Sequence, residues 1–117
     1  MLFDFGDGKG LVLAHRHTNP TGTQGGWVAN SAYVAPSATV AKNACVFGFA
    51  NIHDSVRVLG YAKVYGYATL TDLAQIVGRT KAFGRTRISD HVVVAGDARI
   101  SGDAKCLLGN NLHKSPF

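Results

Sequence analysis

The sequence contains no glutamate, one methionine and three prolines among its 117 residues, and all seven of its acidic residues are aspartates. Glutamate and methionine are good helix formers, whereas aspartate is a weak one, so the chain is poor material for helices. Its 14 glycines, together with abundant valine, alanine and threonine, favour strands and turns instead.

Several other features are also missing. The two cysteines, Cys45 and Cys106, show neither metal-site spacing nor a disulfide framework. The first ten residues, MLFDFGDGKG, are acidic and interrupted by glycine, unlike a signal peptide. No apolar run approaches the roughly 20 residues of a membrane span. We therefore expect a soluble chain that is compatible with a reducing compartment and has no membrane partner.

The formal net charge is +5, which can favour nucleic acid or another anionic surface. No basic cluster and no known nucleic-acid-reading motif accompanies this charge. No nucleic-acid partner is therefore expected.

A six-residue repeat runs through two thirds of the chain. Residues 28–105 divide into 13 consecutive hexads without an insertion, as in VLGYAK followed by VYGYAT. The first position is Val, Ile or Leu in every hexad except the one that begins at Ala82, and the fifth is Ala in nine hexads. Because these positions are four residues apart, they share one face of an extended chain. The third position is mostly Gly, Asp or Asn, which are typical turn residues.

A short strand and a tight turn, repeated three times, close a triangular coil of 18 residues. Stacked coils satisfy each other's backbone hydrogen bonds and bury a continuous apolar column. The pattern resembles the hexapeptide-repeat family, whose fold is the left-handed parallel β-helix. The predicted fold class is therefore all-β, a left-handed parallel β-helix of about four coils with an N-terminal hairpin cap.

Three segments are predicted: 1–27 as an N-terminal cap or attachment segment, 28–105 as the β-helix, and 106–117 as a C-terminal cap and tail. The first contains two apolar strands around a glycine-rich turn, which is a hairpin signal. In the last, Leu107, Leu108 and Leu112 are expected to fold over the open end of the final coil.

The hexapeptide-repeat family includes acyltransferases and γ-class carbonic anhydrases. The acyltransferases use a histidine base beside a loop that interrupts the repeat, and the carbonic anhydrases use two repeat histidines five residues apart as zinc ligands. Here no loop interrupts the hexads, and His53 and His91 are 38 residues apart at outward positions. We predict no catalytic residue and no cofactor. An acyltransferase-like enzyme with a site at a subunit boundary around His53 or His91 is the alternative.

His15 and His17 lie two residues apart, so they face the same way on a strand. Two interpretations stay open. Three chains around an axis would offer six imidazoles to a metal, as in the HxH site of trimeric phage-tail spikes. Alternatively, the two histidines anchor the hairpin and its loop to the first coil through backbone hydrogen bonds.

Sorting the hexads by face places half of the chain's Phe and Tyr residues on the outer surface of one face. They are Phe47, Phe49, Tyr65, Tyr67 and Phe83. Stacked aromatics can simply stabilise neighbouring coils, but a contiguous exposed patch also indicates an interface. These five residues are the predicted oligomer interface. A second column lies at the sixth positions of the hexads on the third face, not on the aromatic face: Cys45, Lys63, Lys81 and Arg99. Its stacked like charges need solvent or an acidic partner.

The repeat family is commonly trimeric, so the resemblance implies a homotrimer of parallel columns. The plain hexads and the AHRH and GGWVA segments are similar in style to small phage- and prophage-encoded repeat proteins. The expected function is a non-enzymatic virion component, a capsid decoration or a tail-tip piece, with another virion protein as partner. The expected location is the virion, with the bacterial cytoplasm as the alternative.

Overall fold

A computed structural model of the chain describes residues 1–102, 105–106 and 111–113. Every regular element in these ranges is a β-strand. None of the described residues forms a helix long and apolar enough to cross a membrane.

The strands fall into two groups. The N-terminal group has three longer strands, β1 (Leu2–Asp4), β2 (Leu11–Thr18) and β3 (Gln24–Ala29). The strands of the repeat are two or three residues long: β4 (Tyr33–Val34), β5 (Thr39–Val40), β6 (Cys45–Val46), β7 (Asn51–Ile52), β8 (Arg57–Val58), β9 (Lys63–Val64), β10 (Thr69–Leu70), β11 (Gln75–Ile76), β12 (Lys81–Ala82), β13 (Arg87–Ile88), β14 (Val93–Ala95), β15 (Arg99–Ile100), β16 (Lys105–Cys106) and β17 (Asn111–His113).

The repeat strands form three stacked sheets. The first sheet continues from β3 through β6, β9, β12 and β15, the second runs from β4 to β16, and the third from β5 to β17. Each repeat strand pairs in parallel with the strand 18 residues further along, as Val46 does with Val64. The predicted parallel β-helix of about four coils is confirmed.

The first hexad position points into the column. Val28, Val46, Val64, Ala82 and Ile100 stack in register along the first sheet, and all are fully buried. The fifth position is buried as well from Ala38 to Ala98, and there the two threonines satisfy their own hydroxyls. Thr80 Oγ1 donates to the carbonyl of Val77, and Thr86 Oγ1 donates to that of Phe83, each at 2.7 Å. A buried hydroxyl that finds an acceptor within its own turn costs little.

The third and fourth positions form three corners, which follow the first, second and third sheets in turn. The third position has a positive φ in nearly every coil, with Gly48, Gly66 and Gly84 at the first corner and Gly60, Gly78 and Gly96 at the third. The second corner uses Asp54, Asp72 and Asp90 with φ of 55°, 63° and 59°. Because the corners follow the sheets in this order, the second corner lies opposite the first sheet in the triangular cross-section.

The N-terminal hairpin extends the first sheet beyond the first coil. β1 pairs antiparallel with β2, β2 pairs antiparallel with β3, and β3 pairs in parallel with β6. The end of β2 and the loop after it are tied to the first coil by two side chains. His17 Nε2 donates to the carbonyl of Ala38 at 2.7 Å, and Asn19 Oδ1 accepts from the backbone N–H of Val40 at 2.9 Å. The predicted hairpin cap is therefore present.

At the other end, β16 pairs with β13 and β17 pairs with β14. Strand stacking thus continues past residue 105 as far as His113. The predicted cap residues Leu107 and Leu108 lie outside the described residues, as does the side chain of Leu112.

Candidate functional site

The outer surface of the first sheet carries an aromatic ladder of Phe47, Tyr65 and Phe83. Their ring centroids are 4.7 Å apart for Phe47 and Tyr65 and 5.0 Å apart for Tyr65 and Phe83, and both pairs are within 4° of parallel. The second hexad position produces this ladder, because strand register places one such residue above the next in each coil.

Two further aromatic residues stand at the first corner. Phe49 and Tyr67 stack at 5.4 Å and are 51% and 61% exposed. All five aromatics of the predicted interface therefore lie together on one side of the column, in three successive coils. Whether they contact another copy stays a prediction.

The N-terminal hairpin covers the top of the aromatic ladder. Phe5 stacks on Phe47 at 4.8 Å, and Phe3 stacks on Trp27 at 4.7 Å. Phe47 is consequently only 4% exposed. The sequence placed Phe47 on an open surface with the other four, because no pattern located the hairpin relative to the coils. Its ring already packs within the chain, so the area available to a partner comes from Phe49, Tyr67 and the edges of Tyr65 and Phe83.

A basic column of Lys63, Lys81 and Arg99 runs beside the aromatic ladder, one residue per coil. The Arg99 guanidinium lies 5.8 Å from the centre of the Phe83 ring, a cation–π distance. A depression of about 280 Å³ between the column and the hairpin turn is lined in part by Asp7, Lys63, Tyr65 and Lys81. The outer surface of the first sheet, called the first face from here on, thus offers cations and aromatic edges side by side.

Two ionisable groups on the first sheet, Cys45 and Tyr65, are partly withdrawn from water. Burial raises the pKa of the Cys45 thiol above its usual 9.0, and the Lys63 charge only partly opposes this. Burial also raises the pKa of Tyr65, partly opposed by Arg99. Cys45 is therefore a protonated thiol near neutral pH and not an activated nucleophile.

The histidine pair of β2 is divided between two environments. His17 is buried against the Ala38 carbonyl, whereas His15 is exposed and its Nδ1 lies 2.7 Å from Asn30 Oδ1. The anchoring interpretation accounts for His17. In the described part of the chain, no group of three or more His, Cys, Asp or Glu side chains is placed to hold a metal ion.

The two histidines of the coils occupy different settings. The ring of His53 lies 5.4 Å from that of Tyr33 on the second face. His91 is exposed at the second corner. There it lines a depression of about 360 Å³ together with Ser55, Leu73 and three aspartates.

Those aspartates form an acidic ladder, Asp54, Asp72 and Asp90, which the sequence analysis did not identify. Asp54 Oδ2 accepts from the backbone N–H of Asp72 at 3.0 Å, and Asp72 Oδ2 accepts from that of Asp90 at 3.1 Å. The signal was present in the sequence: sorting the third hexad positions by face would have shown aspartate recurring every 18 residues.

Comparisons of the chain with protein-family models, with curated protein sequences and with solved structures find no match. The geometry of the repeat and the distribution of its surface side chains therefore carry the functional proposal.

Proposed function

We propose that this chain is a non-enzymatic structural protein that assembles as a homotrimer of parallel β-helices, with the first face turned toward neighbouring copies. The observation that carries the proposal is the aromatic side of the column, where Phe49 and Tyr67 are stacked yet more than half exposed. Contiguous exposed aromatic surface is uncommon on a monomer and usually marks an interaction site.

The exposed area of Phe49 and Tyr67 limits how much of the interface these two aromatic side chains can form. A buried aromatic side chain covers about 150–250 Å², so the exposed parts of Phe49 and Tyr67 offer roughly 150–300 Å² per chain. A standard interface covers about 800 Å² per partner. The aromatics are thus the apolar centre of the proposed interface, and polar residues around them complete it.

The proposed setting is a virion, in which the trimer is a capsid decoration or a tail-tip piece and binds another virion protein. The resemblance of the hexads to the left-handed hexapeptide-repeat family, and of the whole chain to small phage-encoded repeat proteins, supports this setting. A compact column without inserted loops suits such a part. The bacterial cytoplasm is the alternative location.

The competing function is an acyltransferase-like enzyme with a site at a subunit boundary around His53 or His91. An acceptor pocket needs walls beside the base. The hexads from 28 to 102 turn at tight two-residue corners, and the depression beside His91 is open, with aspartates as three of its six lining residues. These features favour the structural role.

The test is the solution mass of the chain. We expect three chains per particle at micromolar concentration by light scattering coupled to size-exclusion chromatography. Replacing Phe49 and Tyr67 together by Ser removes the apolar centre and should shift the particle toward monomer, with an unchanged circular dichroism spectrum.

A matched control is available at another corner. Tyr61 also occupies a fourth hexad position and is 62% exposed, against 61% for Tyr67. Tyr61→Ser should leave the trimer intact, whereas Tyr67→Ser should weaken it. A wild-type chain that runs as a monomer, or equal weakening by both single variants, would contradict the proposal.

A further inference from the structure

Two opposite charge columns run along opposite sides of the β-helix. The basic column Lys63, Lys81 and Arg99 lies on the first face, and the acidic ladder Asp54, Asp72 and Asp90 lies at the second corner. Each holds one charge per coil in three successive coils. Within each column, like charges lie about one strand spacing apart, about 4.8 Å, and repel each other.

The two columns cannot neutralise each other within one chain. The second corner lies across the triangular cross-section from the first face, with the fully buried apolar core between them. Asp7 of the hairpin turn lies in the depression beside Lys63 and Lys81. Of the described residues that line this depression, Asp7 alone carries a carboxylate. Arg79 and Asp97 at the adjoining third corner carry opposite charges, so the three cations of the column still outnumber the carboxylates on this side of the described chain.

The columns match in spacing and nearly in height. Both repeat every 18 residues, so their charges rise by the same distance per coil. Nine residues, half a coil, separate Asp54 from Lys63, Asp72 from Lys81, and Asp90 from Arg99. Two parallel copies at equal height would therefore offset each cation from a carboxylate by only about 2.4 Å along the axis, which a Lys or Arg side chain easily spans.

We propose that the first face of one copy docks against the second corner of the next copy, with the basic column of one opposite the acidic ladder of the other. This rests on the homotrimer proposed above and names the surface that meets its aromatic face. The contact joins two different surfaces, so each copy uses one toward each neighbour, and a rotation that closes it produces a ring.

The second corner has the shape and chemistry to receive the basic column. Its depression of about 360 Å³ is lined by the three aspartates with Ser55, Leu73 and His91. Asp54 and Asp72 each use one carboxylate oxygen for a backbone N–H, and a carboxylate retains further acceptor sites. Leu73 is an exposed apolar residue at this corner and can pack against the aromatic edges of the neighbouring first face.

The test is a double-variant cycle on the trimer dissociation constant, measured by light scattering and sedimentation. One variant neutralises the basic column by Lys63→Gln, Lys81→Gln and Arg99→Gln. The other neutralises the ladder by Asp54→Asn, Asp72→Asn and Asp90→Asn. Asparagine tolerates the left-handed backbone conformation and keeps an oxygen for the N–H of the next coil.

We expect each triple variant to raise the trimer dissociation constant at least tenfold. The combined variant should dissociate no more readily than the less stable of the two triple variants, because the two columns act on each other. Wild-type association should weaken as salt rises from about 0.05 M to about 0.5 M. The dissociation constants of the neutralised variants should hardly change.

A third variant, Arg57→Gln and Arg87→Gln, removes two cations from the sheets that flank the second corner and should not weaken the trimer, because these cations lie beside the acidic ladder and not in the basic column. Equal weakening by this control, additive effects in the cycle, or no effect of either triple variant on a wild-type trimer would overturn this contact alone. A wild-type monomer would overturn both this contact and the proposed homotrimer.

Discussion

At the scale of single residues, the third hexad position turns the chain in two ways, with glycine at the first and third corners and aspartate at the second. Gly66 has a φ of 68°, and a Cβ there would approach the backbone nitrogen of Gly84 to 2.8 Å. Asp72 adopts nearly the same φ, 63°, but its carboxylate accepts from the backbone N–H of the next coil. Aspartate is one of the few side chains that tolerate this conformation. The second corner is thus built around its carboxylates.

Gly66→Ala should destabilise the fold, because the new Cβ meets both an unfavourable φ and the neighbouring coil. The conformational part alone costs roughly 1–3 kcal/mol, and the close approach adds to it. Thermal or denaturant unfolding measures the change. Gly8 is a suitable control, since its φ is 87° but a Cβ there would meet nothing within 4 Å. Similar losses for Gly66→Ala and Gly8→Ala would show that the coils shift to accommodate the methyl group.

At the scale of elements, the hairpin of β1 and β2 has two unequal sides. One side packs Phe3 and Phe5 over Trp27 and Phe47. The other presents Leu2, Leu11 and Leu13, all exposed. Apolar side-chain packing therefore holds only one side of the hairpin against the column, in addition to the backbone pairing of β2 with β3.

Phe5→Ser should release the hairpin from the column without unfolding the coils. Phe5 is buried, so the truncation removes roughly 1.5–3 kcal/mol of apolar burial. Hydrogen exchange should show loss of protection in β1, with the strands from β6 onward unchanged. Leu2→Ser, on the exposed side of the same hairpin, should alter stability by no more than about 0.5 kcal/mol. Unchanged protection of β1 in Phe5→Ser would mean that backbone pairing alone holds the hairpin.

The sequence predicted most of these elements but not all of their positions. Hexads such as VYGYAT specify which side chains point inward. The parallel coils and the fully buried Val64 could therefore be predicted from the six-residue period alone. The hairpin was predicted as an element, but the stacking of Phe5 on Phe47 joins residues 42 apart and has no period. A contact of that kind depends on shape, which a linear pattern does not encode.

At the scale of the whole molecule, two periods govern the chain. The core repeats every six residues, because every face buries the same kind of side chain. The surface repeats every 18, because the aromatic ladder, the basic column and the acidic ladder each recur once per coil. Deletions of six and 18 residues should therefore have different effects. Both preserve the pattern of the core, but only a deletion of 18 keeps the later surface residues in their columns.

Deleting residues 64–81 removes one whole coil and joins Lys63 to Ala82, so every later residue keeps its face. Deleting residues 70–75 removes one hexad and moves every later residue to another face. Both variants should retain a β-rich circular dichroism spectrum and lose some thermal stability. The first variant keeps Asp90 in line with Asp54 but loses Tyr67 from its stack with Phe49. The second keeps that stack but moves Asp90 away from the second corner. Association measured by light scattering should therefore weaken in both variants, and wild-type association in either would indicate that the surface columns have no part in assembly.

The antiparallel junction between β2 and β3 also gives the column a direction of growth. The hairpin precedes every coil in the chain, so it leaves the ribosome before the coils and presents a finished sheet edge to them. At about 5–20 residues per second, each coil of 18 residues follows within roughly 1–4 s. Every new coil pairs with the one just completed, so the sequence separation of the pairing strands does not grow with the number of coils. Folding can then keep pace with synthesis, one coil at a time. Few unpaired strand edges are then exposed to incorrect pairing with other chains during synthesis.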